Sequence, residues 1–418
     1  MNGISNQLYM RIAFIMVLLS LSFRVLAQND KDYKYERNSL CIMMIEHPNL
    51  AFNEEIKYVF STMDVPHRFN DHSLGVRAIK FAEDKDQVKN IQSFCKQVLL
   101  GKRVIAKWFN RDKETGCFDM ELIKERGNYS ATVIDVNLAK SQTRNLALLE
   151  DAGEHLISHT YLVISDIYYI DKSNKWQILK EGLNFAGNLA QPFLTQGNVP
   201  QSQNDDPFGS STYSWMYEDL MDNIKGFRVK ITSYLFRLQW NDEIAGQFYD
   251  QYYTEDATEA DKIKTFMSKS VDFNMEYVGE VSNSSSKTQL YGIKTNEQLI
   301  RKVCIRALDK NLADLQHTFS DFRIKAPLIE TSPLKAYVGM KEDIDEKSRF
   351  EVLEKIIDEN GRSSYKRVAT IKPVKDKIWD NRYMAAEEQA QNADLKATEF
   401  AKVSGGDILP GMLIREIK

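Results

Sequence analysis

The chain has 418 residues, 43% hydrophobic and 27% charged, with 55 Lys and Arg against 59 Asp and Glu for a formal net charge of −4. This is ample material for a packed core, and the length suggests about two or three domains. The balance is slightly acidic and the basic stripe that a phosphate-backbone partner would need is not visible, so no nucleic acid is expected.

The first predicted element is an export signal, residues 1–27. A polar start carrying Arg11 leads into the apolar run Ile12 to Phe23, and Val25-Leu26-Ala27 stands before Gln28-Asn29-Asp30. That is the n-region, h-region and small-residue cleavage site of a secretory signal. The apolar run falls short of the roughly 20 residues of a membrane span and is followed at once by Arg24, so no transmembrane span is expected after cleavage. The first cysteine is Cys41, so no lipid-bearing Cys stands at the cleavage point. Without Arg11 and Arg24 the basic count becomes 53 against 59 acidic side chains, a formal charge near −6.

Residues 28–38 are a polar leader, and order begins at the apolar run Leu40 to Ile45, of the length of a buried strand. A helix over Asn53 to Met63 follows, with Asn53 as cap. Val88, Ile91, Cys95, Val98 and Leu99 then recur at helical spacing and stop at Gly101, which reads as a glycine-terminated amphipathic helix. Arg103 to Phe109 reads as a strand. The stripe Leu146, Leu149, Ala152, Leu156 predicts a helix running into a long strand over Thr160 to Ile170. Between this strand and the next, Lys172 to Gly226 fits neither pattern: Leu179, Leu183, Ala186, Ala190 and Leu194 keep helical spacing, and Thr195 to Ser214 is rich in loop formers.

Phe227 to Trp240 predicts a strand, and Phe273 to Val281 can pair with it. From Asn296 a long helix carries Leu299, Ile300, Val303, Ala307, Leu308, Leu312 and Leu315 on one face. The order β, α, α, β, α, β, β, β, α predicts an α+β fold, an α/β layer around one mixed sheet, over residues 28–326. Pro327 and Pro333 bracket a linker. From 335 to 418 the pattern changes to short strands, Ala336 to Val338, Arg349 to Leu353, Tyr365 to Ile371 and Met412 to Arg415. Asp358-Glu359-Asn360-Gly361 supplies a hairpin turn. These predict a small closed β-barrel.

No constellation carries an obvious chemistry. G-x-S-x-G, phosphate-cradling and dinucleotide motifs are absent from the sequence. Cys41, Cys95, Cys117 and Cys304 are scattered without C-x-x-C or zinc spacing, and the first two and the last fall at apolar positions, where they read as small buried hydrophobes. His155 and His159 stand at helical i, i+4 spacing, able to share a metal, but no H-E-x-x-H and no third ligand accompany them, so a polar helix end is expected. His67 and His72 read as solvated loop histidines. Glu150, Asp151 and Glu154 read as a charged helix face rather than an acid/base pair. Trp379-Asp380-Asn381-Arg382-Tyr383 is more unusual: its aromatic pair could hold a sugar or peptide, or Arg382 could bridge to Asp380 and lock a loop. The second role is favoured. No catalytic residue, metal or cofactor is expected.

Several stretches resemble the curli-secretion (CsgG-type) family joined to a C-terminal domain similar to that of the flagellar-assembly T protein. They are Arg103 to Phe109, Met120 to Gly127 and Leu146 to Ile170 for the first, and Val338 to Ile344, Arg349 to Val352 and Leu409 to Ile414 for the second. The resemblance implies a non-enzymatic protein of the periplasm or outer membrane that builds rings or secretion assemblies. Curli-type channels are lipid-anchored and insert β-hairpins in the membrane, whereas this chain lacks the lipid-bearing Cys, and its insertion reads helical, with Pro192 and without the alternation a membrane strand needs. A periplasmic or outer-membrane-associated scaffold that oligomerises and binds envelope proteins is therefore expected rather than a pore. The other reading is a glycan- or peptide-binding module using Trp379, Asp380, Arg382, Tyr383, Tyr213 and Trp215 as candidate partner-binding residues. N-terminal sequencing of the exported protein is expected to start at Gln28, and a chain retaining Ile12 to Phe23 would refute the export signal.

Overall fold

The computed structural model describes residues 37–417 apart from 51, 81–85, 129–155, 172–223, 269–272, 291–294, 324, 358–362 and 389. The described residues all belong to one compact unit, Tyr35–Lys418. The predicted signal, the helix over 146–155, most of the Lys172 to Gly226 insertion and the Asp358 to Gly361 turn lie outside them.

Strand β1 (Ser39–Ile45) is buried along its whole length. Its alternate residues enter two separate cores: Cys41, Met43 and Ile45 on one side of the sheet, Leu40, Ile42 and Met44 on the other. A strand covered on both faces reads as a continuous apolar run, which is why β1 shows no polar alternation. It pairs in parallel with β4 (Thr160–Asp171), from Ser39 opposite Thr160 to Ile45 opposite Asp166. Its other edge carries the two-residue strands β2 (Asn70–Asp71) and β3 (Ala78–Ile79). Strands β5 (Ile224–Leu238) and β6 (Met275–Leu290) continue the sheet antiparallel, in the order β2-β1-β4-β5-β6. The sheet is therefore mixed, and Ile224 to Gly226, placed in the insertion by sequence, already belong to β5.

Helices cover both faces. On the first lie α2 (Gln87–Gln97), α3 (Leu100–Trp108), α4 (Glu121–Asn128), α5 (Asp242–Gln251) and α6 (Ala260–Met267), which contribute Ile91, Val104, Trp108, Ile123, Phe248 and Phe266 to that core. The second face carries α1 (Asn53–Thr62) and α7 (Asn296–Thr318). All seven residues of the predicted α7 stripe are buried, each worth about 1 to 3 kcal/mol of transfer free energy for the larger side chains. The start of α7 is fixed by a capping box. Gln298 N–H donates to Thr295 Oγ1, and Thr295 N–H to Gln298 Oε1. Buried polar groups then set its register on the sheet, with Asn311 Nδ2 donating to Ile231 O at 3.0 Å and to Ser233 Oγ at 2.8 Å. None of the described helices is long and apolar enough to cross a membrane.

Two readings of this region need correction. Arg103 to Phe109 is not a strand but most of α3. Leu100, Val104, Ile105 and Trp108 are buried at helical spacing while Arg103 is exposed, so a short apolar run that fits both periods is settled by tertiary packing. Nor is Gly101 a helix stop. The break falls at Leu99, in the left-handed region at φ 50, and Gly101 lies inside α3, where a Cβ would come within 1.7 Å of the Phe273 carbonyl oxygen. Close backbone contact, not capping, requires the glycine.

Beyond α7, six antiparallel strands close into a ring: β7 (Ala326–Thr331), β8 (Leu334–Ala336), β9 (Arg349–Ile357), β10 (Ser363–Pro373), β11 (Thr398–Gly405) and β12 (Leu413–Ile417), in the cyclic order β10-β11-β8-β7-β12-β9. Leu328, Ala336, Val352, Ile371, Phe400 and Ile414 fill it. The prolines read as bracketing a linker lie instead in the ring. Pro327 faces Leu413 across β7 and β12, where a missing N–H is tolerated at a sheet position that does not need the donor, and Pro333 sits between β7 and β8.

His72 is fully buried rather than solvated. Its Nε2–H donates to Val104 O at 3.1 Å, its Nδ1 accepts from Arg126 at 2.9 Å, and its ring lies 5.0 Å from that of Trp108. Arg126 also donates to Ser39 Oγ and Asp71 O and stacks on Trp108, holding α4 against β1. Burial, and then the Arg126 charge, push the His72 pKa well below its ordinary value. The unfolded chain, with an imidazole pKa near ~6.5, binds the proton that the folded chain refuses, so this contribution is present above that pH and is lost as pH falls below it, by up to about 1.4 kcal/mol per pH unit. Urea unfolding between pH 7 and 5 is expected to show a steeper loss of stability for the wild type than for His72→Gln. Parallel profiles would mean that His72 is not the group responsible.

Candidate functional site

The described part of the sequence-predicted site falls on the connection between β10 and β11. Ile378 anchors it in the ring core. Trp379 is half-buried, and its backbone is engaged at both ends, the N–H donating to Thr398 Oγ1 at 3.0 Å and the carbonyl accepting from Met340 N at 2.9 Å. Asp380 is buried and accepts a fork from Arg382, Nε at 2.8 Å and a terminal nitrogen at 2.7 Å. That hydrogen-bonded pair holds the Asp380 carboxyl below its ordinary pKa. Asn381 accepts from Lys341 N at 2.7 Å and donates to Glu342 Oε2 at 2.8 Å. The half-buried Tyr383 packs on the core beneath α7 and offers its carbonyl to Arg306 at 3.0 and 3.1 Å. Trp379, Asp380, Arg382 and Tyr383 thus form one locked turn, while Tyr213 and Trp215 lie outside the described residues.

The loop meets a face of α7 that sequence reasoning missed. Lys302, Arg306, Asp309 or Lys310, Asp314 and His317 recur at steps of three to five residues, about one helical turn. Lys302 is only 1% exposed and pairs with Glu388, which also takes Arg306 at 2.8 Å. Asp309, 5% exposed, meets Lys341 Nζ at 3.2 Å. Burial raises its pKa, against the lowering charges of Lys341 and Arg68. Arg68, from the loop after α1, pairs with Glu342 of a short 3₁₀ turn, Met340–Glu342. Glu342 also accepts from Gly339 N–H at 2.7 Å, and a Cβ on Gly339 would come within 2.2 Å of Trp379 O. The polar stripe was visible as charge periodicity, but sequence gives no sign that it faces protein rather than water.

Below these pairs, His317 Nε2 lies 2.7 Å from Glu416 on β12. The hydrogen bond to Glu416, with the charges of Glu416, Asp343 and Asp314, raises the His317 pKa against the opposing pull of burial. Arg323 ties the same corner, donating to the carbonyls of Gln316, His317 and Glu416. One ligating atom each from Asp314, His317 and Asp343 lie within 4.8 Å of one another.

The remaining candidates are dispersed. His155, Glu150, Asp151 and Glu154 lie outside the described residues. His159 is half-buried with Nδ1 3.1 Å from Ser158 Oγ, and His67 is exposed. Cys41, Cys95 and Cys304 are buried as expected, and burial pushes the thiols of Cys41 and Cys304 up to about 11 and about 12. A His–carboxylate pair not foreseen, His47 Nε2 to Asp166 Oδ1 at 2.6 Å, sits just past the carboxyl end of β1 and at the middle of β4. Gln87 donates to the same carboxylate and the Tyr168 ring lies 4.7 Å from that of His47, groups that orient the pair.

A buried ammonium is costly unless a carboxylate stays beside it, and breaking such a pair costs about 3 to 5 kcal/mol. Glu388→Gln is expected to lower the stability of the full chain by about 3 kcal/mol in urea unfolding. Lys302→Met, which leaves Glu388 its Arg306 partner, is expected to cost only about 1 kcal/mol. Equal costs would show that the pair is not held away from water. Neither the known protein-family models nor the curated proteins include a match to this chain.

Proposed function

We propose that the protein is an exported, non-catalytic cell-envelope component, in the periplasm or at the periphery of the outer membrane, that acts as an assembly scaffold by associating with copies of itself and with other envelope proteins. In this reading the ring is a small C-terminal β-barrel domain and the layered part is an α/β domain, as the resemblance to curli-secretion and flagellar-assembly proteins implies.

The observation that carries the proposal is the end of the sheet. Strand β6 spans 16 residues and follows β5 as the last strand in the order, with its second edge unpaired among the described residues. A long open edge presents a row of backbone donors and acceptors that another chain can extend. Ser282 and Ser284 on it are exposed, so the edge is polar and suited to regulated association rather than collapse. The locked Trp379 to Tyr383 turn favours support over ligand capture, since its Asp380 carboxylate and its backbone are engaged by the protein itself.

Cell fractionation with light scattering on the purified mature chain tests the proposal. The protein is expected in the envelope fraction and at a mass that is a multiple of the chain. A cytoplasmic protein, or a monomer at all concentrations that forms no cross-link to an envelope component, would overturn it.

A further inference from the structure

Asp314 and His317 stand three apart near the end of α7 and share one face of the helix. Asp343 reaches the same place from the ring, directly after the 3₁₀ turn Met340–Glu342, in the left-handed region at φ 59. We propose that these three side chains bind one divalent transition-metal ion, with zinc the best match, and that the ion clamps α7 to the ring.

The donor set decides the class of ion. An imidazole with two carboxylates suits zinc and its neighbours, whereas magnesium and calcium take oxygen ligands. Three protein ligands leave the fourth tetrahedral position to water. Ligands on a shared zinc lie about 3.4 Å apart, given bond lengths of about 2.1 Å. The three atoms here lie within 4.8 Å on half-buried and exposed side chains, so rotamer changes close the remaining distance. A second observation points the same way. Metal-bound histidines characteristically donate their other nitrogen to a carboxylate, and His317 has such a carboxylate, Glu416 of β12, 2.7 Å from its Nε2, so in this proposal the ion takes Nδ1.

The competing contacts are weak or partial. Lys310 Nζ stands 3.9 Å from Asp343 Oδ2 with both side chains about half exposed, and Asn283 Nδ2 donates to Asp314 Oδ2, contacts that among the described residues engage one oxygen of each aspartate. The proposal does not depend on the scaffold reading, because a clamp between α7 and the ring would serve any function.

The test is calorimetric titration of Zn²⁺ alone into the metal-stripped full chain. One equivalent is expected to bind, and His317→Ala and Asp343→Asn are each expected to weaken binding at least about tenfold, with Glu416→Gln weakening it about 10- to 100-fold as an orienting residue does. Asp343 is exposed, so its variant is expected to keep the fold, which circular dichroism of each variant checks. His67→Ala, at an exposed histidine elsewhere, is expected to bind as the wild type does. Co²⁺ in place of Zn²⁺ is expected to give a tetrahedral visible spectrum that Asp343→Asn removes. No stoichiometric binding by the wild type, or affinity unchanged in both His317→Ala and Asp343→Asn, would overturn the site.

Discussion

Helix α7 is buried on two sides of different chemistry, and the pairing of Lys302 with Glu388 is where they meet. Its leucine stripe lies on the sheet beside Ile231 and Leu235. Its charged stripe lies under the ring, where Lys302 and Asp309 are almost without solvent. Removing such charges from water costs several kcal/mol per ion in practice, so the structure stands only if partners arrive from elsewhere in the chain. They do, with Glu388 and Lys341 from the ring, while Arg68, from the loop after α1, pairs with Glu342 and adds its charge beside Asp309. The apolar face would accept many neighbours of similar size, whereas the charged face accepts only a neighbour with these groups in these places.

That demand explains the long connection between β10 and β11. A connection of this length would ordinarily be an independent surface loop. Here Tyr383 must place its carbonyl on Arg306 while Glu388 reaches both Arg306 and Lys302. The Asp380–Arg382 fork holds the turn before them, its charges matched within two residues. Gly339 lets the 3₁₀ turn approach the Trp379 carbonyl closely enough for Asn381 to bind Lys341 N and Glu342.

What was legible in the sequence follows from which signals are local. The α7 stripe, β1, β4, β5 and the pairing of β5 with β6 were readable because apolar periodicity is a property of short stretches. Arg103 to Phe109 misled for the converse reason: seven residues with Val104, Ile105 and Trp108 fit a strand or a helix, and only packing against Ile123 and Phe248 decides. Helices α5 and α6 went unassigned, because Phe248, Phe266 and Tyr252, which follows α5, were not read as a periodic face although they pack into one aromatic cluster. The Asp380–Arg382 pairing was foreseen because its residues are neighbours. The Lys302–Glu388 and Arg68–Glu342 pairs were not, since their partners are separated by most of a domain and nothing in sequence marks a charge as buried.

The same helix also relates the two features on which the functional proposals rest. At 23 residues α7 is about 35 Å long. The chain enters it a few residues after strand β6, and its far end carries His317 beside β12. A helix capped at its start, packed along its length and paired with the ring cannot shift at one end without disturbing the buried charges at the other. An association along β6 therefore acts on an element whose position is already set, which favours binding a partner in a fixed pose over a moving switch. A cation at Asp314, His317 and Asp343 would strengthen that fixity at the end where the contact relies on half-exposed groups, whereas around Lys302 it already relies on buried ones.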